Sequence, residues 1–280
     1  MATHEEGRFA GEGGVEIYWQ AWLPEGEPRA VIVLAHGASE HSGRYAWTGE
    51  QLGARGYAVY AIDHRGHGQS AGGRAVIDRM RNAVEDLHTL VERAAGAHPG
   101  RPVVLLGHSM GGAVALSYTA EHEDALDALV LSSPLAVLEA ASPAQRVVGR
   151  VLSAVAPSLG VVAIDSTAVS RDPEVVADYD ADPLNYHGKL PARTVAELSR
   201  TIDGFPDAVT KFKLPMLVMH GTADRLVPIA GSEMVVGRAG SGDKTFKRYD
   251  GLFHEILNEP ERQQVLDDIA DWLDARFAAP

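Results

Sequence analysis

Val103-Val104-Leu105-Leu106-Gly107-His108-Ser109-Met110-Gly111-Gly112 is the stretch on which the reading of this chain turns. An apolar run with the composition of a buried strand stops at a Gly-x-Ser-x-Gly pattern, and Ala113-Val114-Ala115-Leu116 resumes with the look of a buried helix. Strand, sharp turn and helix in that order form a setting that lifts a serine hydroxyl off the edge of a sheet. Gly107 and Gly111 fit it sterically, because side chains there would obstruct a tight crossing of strand and helix. A chain with 29 glycines also produces this pattern in ordinary turns. Partners elsewhere in the sequence must therefore decide.

Outward from this stretch the chain alternates strand and helix. Upstream, Ala30 to Ala35 is a continuous apolar run of the kind buried on both faces, and it ends in His36-Gly37-Ala38-Ser39-Glu40-His41. Trp47 to Arg55 reads as a helix closing at Gly56, Tyr57 to Ile62 as the next buried strand, and Asp63 to Ser70 as a tight loop. From Ala75 to Ala97, Val76, Met80, Val84, Leu87, Leu90 and Val91 recur at helical spacing until His98-Pro99-Gly100 stops the helix. At the start, Glu16 to Leu23 alternates polar and apolar residues behind Phe9 and a glycine-rich turn, which predicts an antiparallel opening. Downstream, strands are expected at Ala128 to Leu131, Pro215 to His220 and Lys244 to Tyr249. Helices are expected near Ile229 to Arg238 and from about Glu259 to Phe277. This alternation predicts a mostly parallel, doubly wound central sheet flanked by helices.

Between Pro134 and Leu214 the alternation breaks down into helical pieces interrupted by six prolines. The expectation is a core of residues 1–133 and 214–280 with a helical cap, or lid, inserted at 134–213. The first cap helix opens with a capping box, Ser142-Pro143-Ala144-Gln145, and carries an apolar stripe of Val147, Val148, Val151, Leu152 and Val155. Such a stripe either packs on the main domain or meets acyl chains or lipid. Sequence alone leaves both open.

The 280 residues, 45% of them hydrophobic, suffice for one large domain. A formal net charge of −13 with no basic cluster argues against nucleic acid as a partner. Absence of cysteine removes disulfides, thiolate nucleophiles and cysteine-based zinc sites. The acidic amino terminus, Met1 to Gly7, lacks the apolar segment of a secretory signal, and no apolar run nears the roughly 18 residues that span a bilayer. A cytoplasmic protein whose contact with membrane is at most peripheral is expected.

Ser109, Asp224 and His254 occur in that order, each just after a predicted strand. The carboxyl edge of an open parallel sheet is where active sites collect. A serine hydroxyl is a poor nucleophile until an imidazole takes its proton, and the imidazole needs a carboxylate to fix its tautomer and stabilise its charge. Among 12 histidines, His254 is singled out by lying between the last strand and the last helix. His220 reads as structural and His108 as packed below the turn. Asp250 competes with Asp224 for the acid, but Asp224 directly follows a strand and Gly221. Attack on a carbonyl also needs donors for the oxyanion, and the backbone N–H groups of Ala38 and Met110 are expected to supply them.

With these residues in hand, the chain resembles the monoacylglycerol lipases of the α/β-hydrolase superfamily, in the group that includes bacterial lysophospholipases. The resemblance rests on His36-Gly37-Ala38-Ser39-Glu40-His41-Ser42-Gly43-Arg44-Tyr45, Asp63-His64-Arg65-Gly66-His67-Gly68-Gln69-Ser70, Gly107 to Gly112, Gly221-Thr222-Ala223-Asp224 and His254-Glu255. It implies the α/β-hydrolase fold, splitting of monoacylglycerols into fatty acid and glycerol, no metal or organic cofactor, and an apolar cap over an acyl tunnel. It also implies that Glu40 and Arg44 lie at the polar end of the pocket, where they either hold glycerol hydroxyls or form a salt bridge that shapes the loop. Family members often carry glycine where this chain has Ser39.

The expected activity is that of a serine hydrolase acting on carboxylic esters. Ser109 attacks, His254 is base and then acid, and Asp224 orients His254. A lysophospholipid or a short-chain ester as substrate, or acyl transfer or perhydrolysis on the same triad, are the alternatives. Phosphate recognition would call for more basic pocket residues than the sequence offers. A non-catalytic binding module would be expected to lose a triad member, and none is missing.

Overall fold

The computed structural model describes the backbone of residues 2–138 and 143–277, with the side chains of the same residues apart from 143–147. The chain opens with β1 (Thr3–Ala10), β2 (Glu16–Leu23), β3 (Val31–Ala35), α1 (Ala46–Ala54), β4 (Ala58–Ile62), α2 (Met80–Ala97), β5 (Val103–His108), α3 (Met110–His122) and β6 (Ala128–Ser132). An intervening segment holds α4 (Pro143–Val155), β7 (Gly160–Val162), α5 (Pro173–Ala181), β8 (Leu190–Pro191), α6 (Ala192–Ile202) and α7 (Phe205–Ala208). The chain ends with β9 (Met216–Gly221), α8 (Ala230–Arg238), β10 (Lys244–Tyr249) and α9 (Arg262–Asp274).

Eight strands form one sheet in the order β1-β2-β4-β3-β5-β6-β9-β10. β1 pairs antiparallel with β2, and β2 with β4; every later pair is parallel. Successive side chains along a strand point to opposite faces, and here both faces are covered. On one face Val33, Leu105 and Leu129 pack with Leu87, Val114 and Tyr118 from α2 and α3. On the other, Leu34, Leu106 and Val130 pack with Leu52 of α1 and with Leu266 and Ile269 of α9. That double burial is why these strands read as unbroken apolar runs.

From β3 the chain moves to β4 on one side, then returns to place β5 on the other. A reversal of strand order leaves a crevice at the carboxyl ends of the two diverging strands, here β3 and β5. β6 and β9 are neighbours in the sheet, so residues 133–215 leave that edge and return to it.

The structure revises two expected helix boundaries. Helix α2 begins at Met80, not Ala75, because Ala75 takes a left-handed φ of 57° and the following turn is tied to α6. Thr194 Oγ1 accepts from the Ile77 N–H at 2.9 Å and donates to Ala75 O at 2.7 Å, and Glu197 accepts from the Met80 N–H. Helix α9 is shorter than expected, since Glu259 is buried and accepts hydrogen bonds from Arg171 and the Phe253 N–H instead of opening the helix. Ser142 of the proposed capping box lies outside the described residues, as do the side chains of Gln145 and Val147. The rest of the α4 stripe does not pack as a unit on the main domain: Val148, Val151 and Val155 are 56%, 53% and 74% exposed, while Leu152 is half-buried.

Candidate active site

Ser109 stands between β5 and α3 with φ 53° and ψ −118°, a conformation that side-chain-bearing residues rarely adopt. The turn survives because the crossing is built for it. A Cβ at Gly107 would lie 2.6 Å from Gly111 O, and one at Gly111 would lie 2.1 Å from Ala35 O. The backbone is pinned on both sides: the Ser109 N–H donates to Ser132 O, and Ser109 O accepts from the N–H groups of Ala113 and Leu135.

Asp224 follows β9 and His254 follows β10. The two are joined by a 2.7 Å hydrogen bond from His254 Nδ1 to Asp224 Oδ2, with both side chains buried. Asp224 Oδ1 accepts from the N–H groups of Leu226 and Val227, at 2.8 and 2.9 Å. Burial alone would raise the Asp224 carboxyl. The charge of His254 and the hydrogen bonds from His220, His254 and Val227 outweigh it and hold the group far below the usual carboxylate range. Burial likewise opposes charge on His254, but Asp224, helped by Glu255 and Glu40, raises its pKa above the ordinary histidine value. Asp250, the rival acid, is exposed and bonded to the Thr222 hydroxyl.

Ser109 and His254 line one cavity of about 180 Å³, together with Ala38 and Met110. Among the described residues no hydrogen bond joins the Ser109 hydroxyl to the His254 ring. Met110 is the first residue of α3, so its N–H has no acceptor within the helix. The neighbouring Gly37 N–H is already taken by Glu40 Oε1 at 2.6 Å. Leu135, Ile164, Val169, Leu190 and Leu198 make the rest of the wall largely apolar. Val162 is shared with a larger groove, about 930 Å³, between α4 and α6.

A buried charge network closes the polar end. Arg44 Nη1 donates to Glu40 Oε2 at 2.9 Å, and Arg44 grips Glu255 with two bonds of 2.6 and 2.7 Å while its guanidinium lies over the Tyr179 ring. Burial pushes the Glu40 carboxyl up against the pull of Arg44. Its three donors, the Gly37 N–H, the Tyr45 hydroxyl and Arg44, leave it only an acceptor's role. Burial acts the same way on Glu255, but Arg44 outweighs it and holds that carboxyl down to about 2.

His108, expected below the turn, lines the cavity instead. Its ring centroid is 4.7 Å from that of His254, its Nδ1 is 3.1 Å from Ser132 Oγ, and burial pushes its pKa down to about 3. His220, read as structural, contacts the acid directly. Its Nε2 is 3.1 Å from both Asp224 Oδ2 and Val227 O, so that nitrogen must carry the proton, and Nδ1 accepts from the Ser232 hydroxyl at 2.8 Å. The four-residue spacing from Asp224 could have flagged it. Glu255 and Tyr179 carry no signal in the sequence, and nothing there shows that Tyr179, from α5, lies under Arg44. Among the described residues, the one group with metal-ligand spacing is Glu85, Glu121 and His122, and none of the three lines the cavity.

Residues 26–261 match the family model described as serine aminopeptidase, S33. Over 273 residues the chain is 46% identical to a monoacylglycerol lipase of Mycolicibacterium smegmatis, covering 97% of this chain and 98% of that one. It is 37% identical over 269 residues to the human monoglyceride lipase, covering 95% and 89%. The crystal structure of the Paleococcus ferrophilus monoacylglycerol lipase superposes with a TM-score of 0.81 at 28% identity, covering 98% and 99%. The chain therefore belongs to the monoacylglycerol lipase family of serine hydrolases, built on the α/β-hydrolase fold.

Proposed function

We propose that this chain hydrolyses monoacylglycerols to free fatty acid and glycerol through an acyl-enzyme. The observation that carries the reading is an apolar cavity with a strained serine and an Asp-held histidine on its wall, in a chain 46% identical to a monoacylglycerol lipase.

In this mechanism Ser109 Oγ attacks the ester carbonyl and His254 Nε2 takes its proton. The carbonyl oxygen, now an anion, accepts hydrogen bonds from the N–H groups of Ala38 and Met110, each worth about a hundred- to a thousandfold in rate. As the tetrahedral intermediate collapses, the same proton passes from His254 to the departing glycerol oxygen. Water, deprotonated by His254, then attacks the acyl-enzyme, and the returned proton restores Ser109. Asp224 holds His254 with Nδ1–H toward the carboxylate and offsets the imidazolium charge. Glu40 accepts hydrogen bonds from glycerol hydroxyls, directly or through water, and Arg44 acts with it by keeping the carboxylates in place.

Residues 134–213 serve as a cap over the acyl chain, on a core of 1–133 and 214–280. Among the described residues no helix is long and apolar enough to cross a membrane. The exposed valines of α4 give the cap a face for peripheral contact with a lipid surface.

The test is glycerol release from a long-chain monoacylglycerol, run beside a lysophospholipid and a short-chain ester, with Ser109→Ala as the blank. Dominant monoacylglycerol turnover that vanishes in the variant is expected. Turnover of the short-chain ester alone would remove the substrate assignment and leave the triad. Activity surviving in Ser109→Ala would remove the mechanism.

A further inference from the structure

We infer that the buried carboxylates Glu40 and Glu255 make the leaving-group end of the site selective by charge, admitting esters of uncharged alcohols and excluding those whose alcohol carries an anionic phosphate. The inference rests on the reading of the site as a monoacylglycerol hydrolase and specifies which esters it refuses.

The network holds more negative than positive charge. Two carboxylates share one guanidinium, and the bonds they accept fit the ionised form of both. Glu40 takes bonds from Gly37, Tyr45 and Arg44; Glu255 takes two from Arg44 and one from Asn258 Nδ2 at 3.0 Å. Glu40, Arg44 and Glu255 are each at least nine-tenths buried, so water screens the imbalance poorly. Asp224 adds a second uncompensated charge whenever His254 is neutral.

This charge stands where the alcohol must sit. Glu40 and Glu255 both line the cavity with Ser109 and His254, whereas Arg44 does not. Glu40 also binds the Gly37 N–H, next to Ala38 in the loop assigned to the oxyanion. Both carboxylates act on the imidazole that must hand its proton to the leaving oxygen. No lysine and no arginine is among the described residues that line the Ser109 cavity. A glycerol hydroxyl can donate to a carboxylate. A fully ionised phosphate, which only accepts, would face like charge without a counterion.

The decisive comparison separates charge from bulk. Three substrates in neutral detergent micelles are compared by kcat/KM: 1-oleoylglycerol, 1-oleoylglycerol 3-phosphate, and the dimethyl triester of that phosphate, which is larger than the anion but uncharged. The wild-type enzyme is expected to turn over the triester at least about tenfold faster than the anion, the size of effect one unscreened charge produces across a few ångströms. Glu255→Gln, which keeps a side chain able to bond Arg44, is expected to narrow that ratio severalfold. Glu255→Asp, which keeps the charge, is expected to leave it wide. Equal turnover of anion and triester by the wild type would overturn the inference without any variant, and so would a ratio that Glu255→Gln does not move. Failure to hydrolyse 1-oleoylglycerol at all would instead remove the functional reading on which it rests.

Discussion

His220 Nε2 donates to Asp224 Oδ2 across 3.1 Å, so one carboxylate oxygen sits between two imidazoles, the second N–H coming from His254. His220 is wholly buried, with its other nitrogen committed to Ser232. In the proposed mechanism it is a positioning residue, reaching the reaction only through Asp224.

Replacing it should therefore move kcat and leave KM nearly unchanged. His220→Leu removes a hydrogen bond to a charged group, and a fall in kcat of about tenfold is expected. Losing that N–H makes the Asp224 carboxylate more basic, so His254 holds its proton to higher pH and the acid limb of the rate profile shifts upward. His220→Gln keeps a donor and should recover part of the rate. A KM effect with no change in the pH profile would assign His220 to packing alone.

The Asp224–His254 pair also fixes the sign of the pH dependence. As the proposed base His254 would work only when neutral, and its pKa is raised, so the acid limb of kcat/KM is expected above the ordinary histidine value of about 6.5. For stability the two partners act in opposite directions. The raised His254 contributes stability fully below its unfolded pKa and loses it as pH rises through the folded one. The depressed Asp224 contributes above its unfolded pKa and loses it as pH falls through its folded value. Asp224→Asn should lower kcat by about four orders of magnitude, by analogy with the serine protease triad, and flatten both dependences. Rate profiles from pH 4 to 9 and thermal melts from pH 2 to 9 on wild type and variant check this; an acid limb left in place by Asp224→Asn would refute it.

Ser39 departs from the glycine often found at its place, and the structure shows what that departs from. Its φ is 63°, in the left-handed region, and its hydroxyl is buried without a partner. Relief of the backbone strain is worth about 1 kcal/mol and removal of an orphaned hydroxyl a similar amount, against about 0.4–1 kcal/mol lost to the freer unfolded chain. Ser39→Gly is thus expected to stabilise the protein by about 1 kcal/mol, read as a melting temperature a few degrees higher. Unchanged or lower stability would mean that the loop tolerates the conformation without strain.

Much of this site was legible because strand ends are legible. Runs such as Val31 to Ala35 and Val103 to Leu106 are apolar at every position only when both faces are covered, and the loops that follow carry His36–Gly37, Ser109, Asp224 and His254. What escaped was held by contacts between distant segments. The late start of α2 depends on Thr194 and Glu197, more than a hundred residues away. Arg44 finds Glu255 across 211 positions and Tyr179 from the cap, so neither spacing nor periodicity could show that a base beside Glu40 is shared with a second acid. The place of His108 escapes the sequence for a related reason: alternation along β5 gives its direction, but only the seating of His254 turns that direction into a cavity wall.

The cap gives the last prediction. Among the described residues the exposed large hydrophobics are Leu138, Val148, Val151, Val155, Leu159, Val161 and Val162, all within 25 positions of one another. Scattered exposed apolar residues need no explanation, but confinement to one segment beside the Ser109 cavity does. A protein with net charge −13 gains nothing from an anionic surface, so the driving force would be burial of these side chains. Val148→Asp with Val151→Asp should weaken partition onto zwitterionic vesicles by on the order of a hundredfold, each change removing about 1 kcal/mol of apolar burial and adding a charge to desolvate. Turnover of a water-soluble short-chain ester should stay near the wild-type value, since neither valine lines the Ser109 cavity. Vesicle flotation beside both assays distinguishes the cases. Unchanged partition would assign the exposed valines to something other than lipid, and loss of soluble-ester turnover would mean that the substitutions disturb the cavity itself.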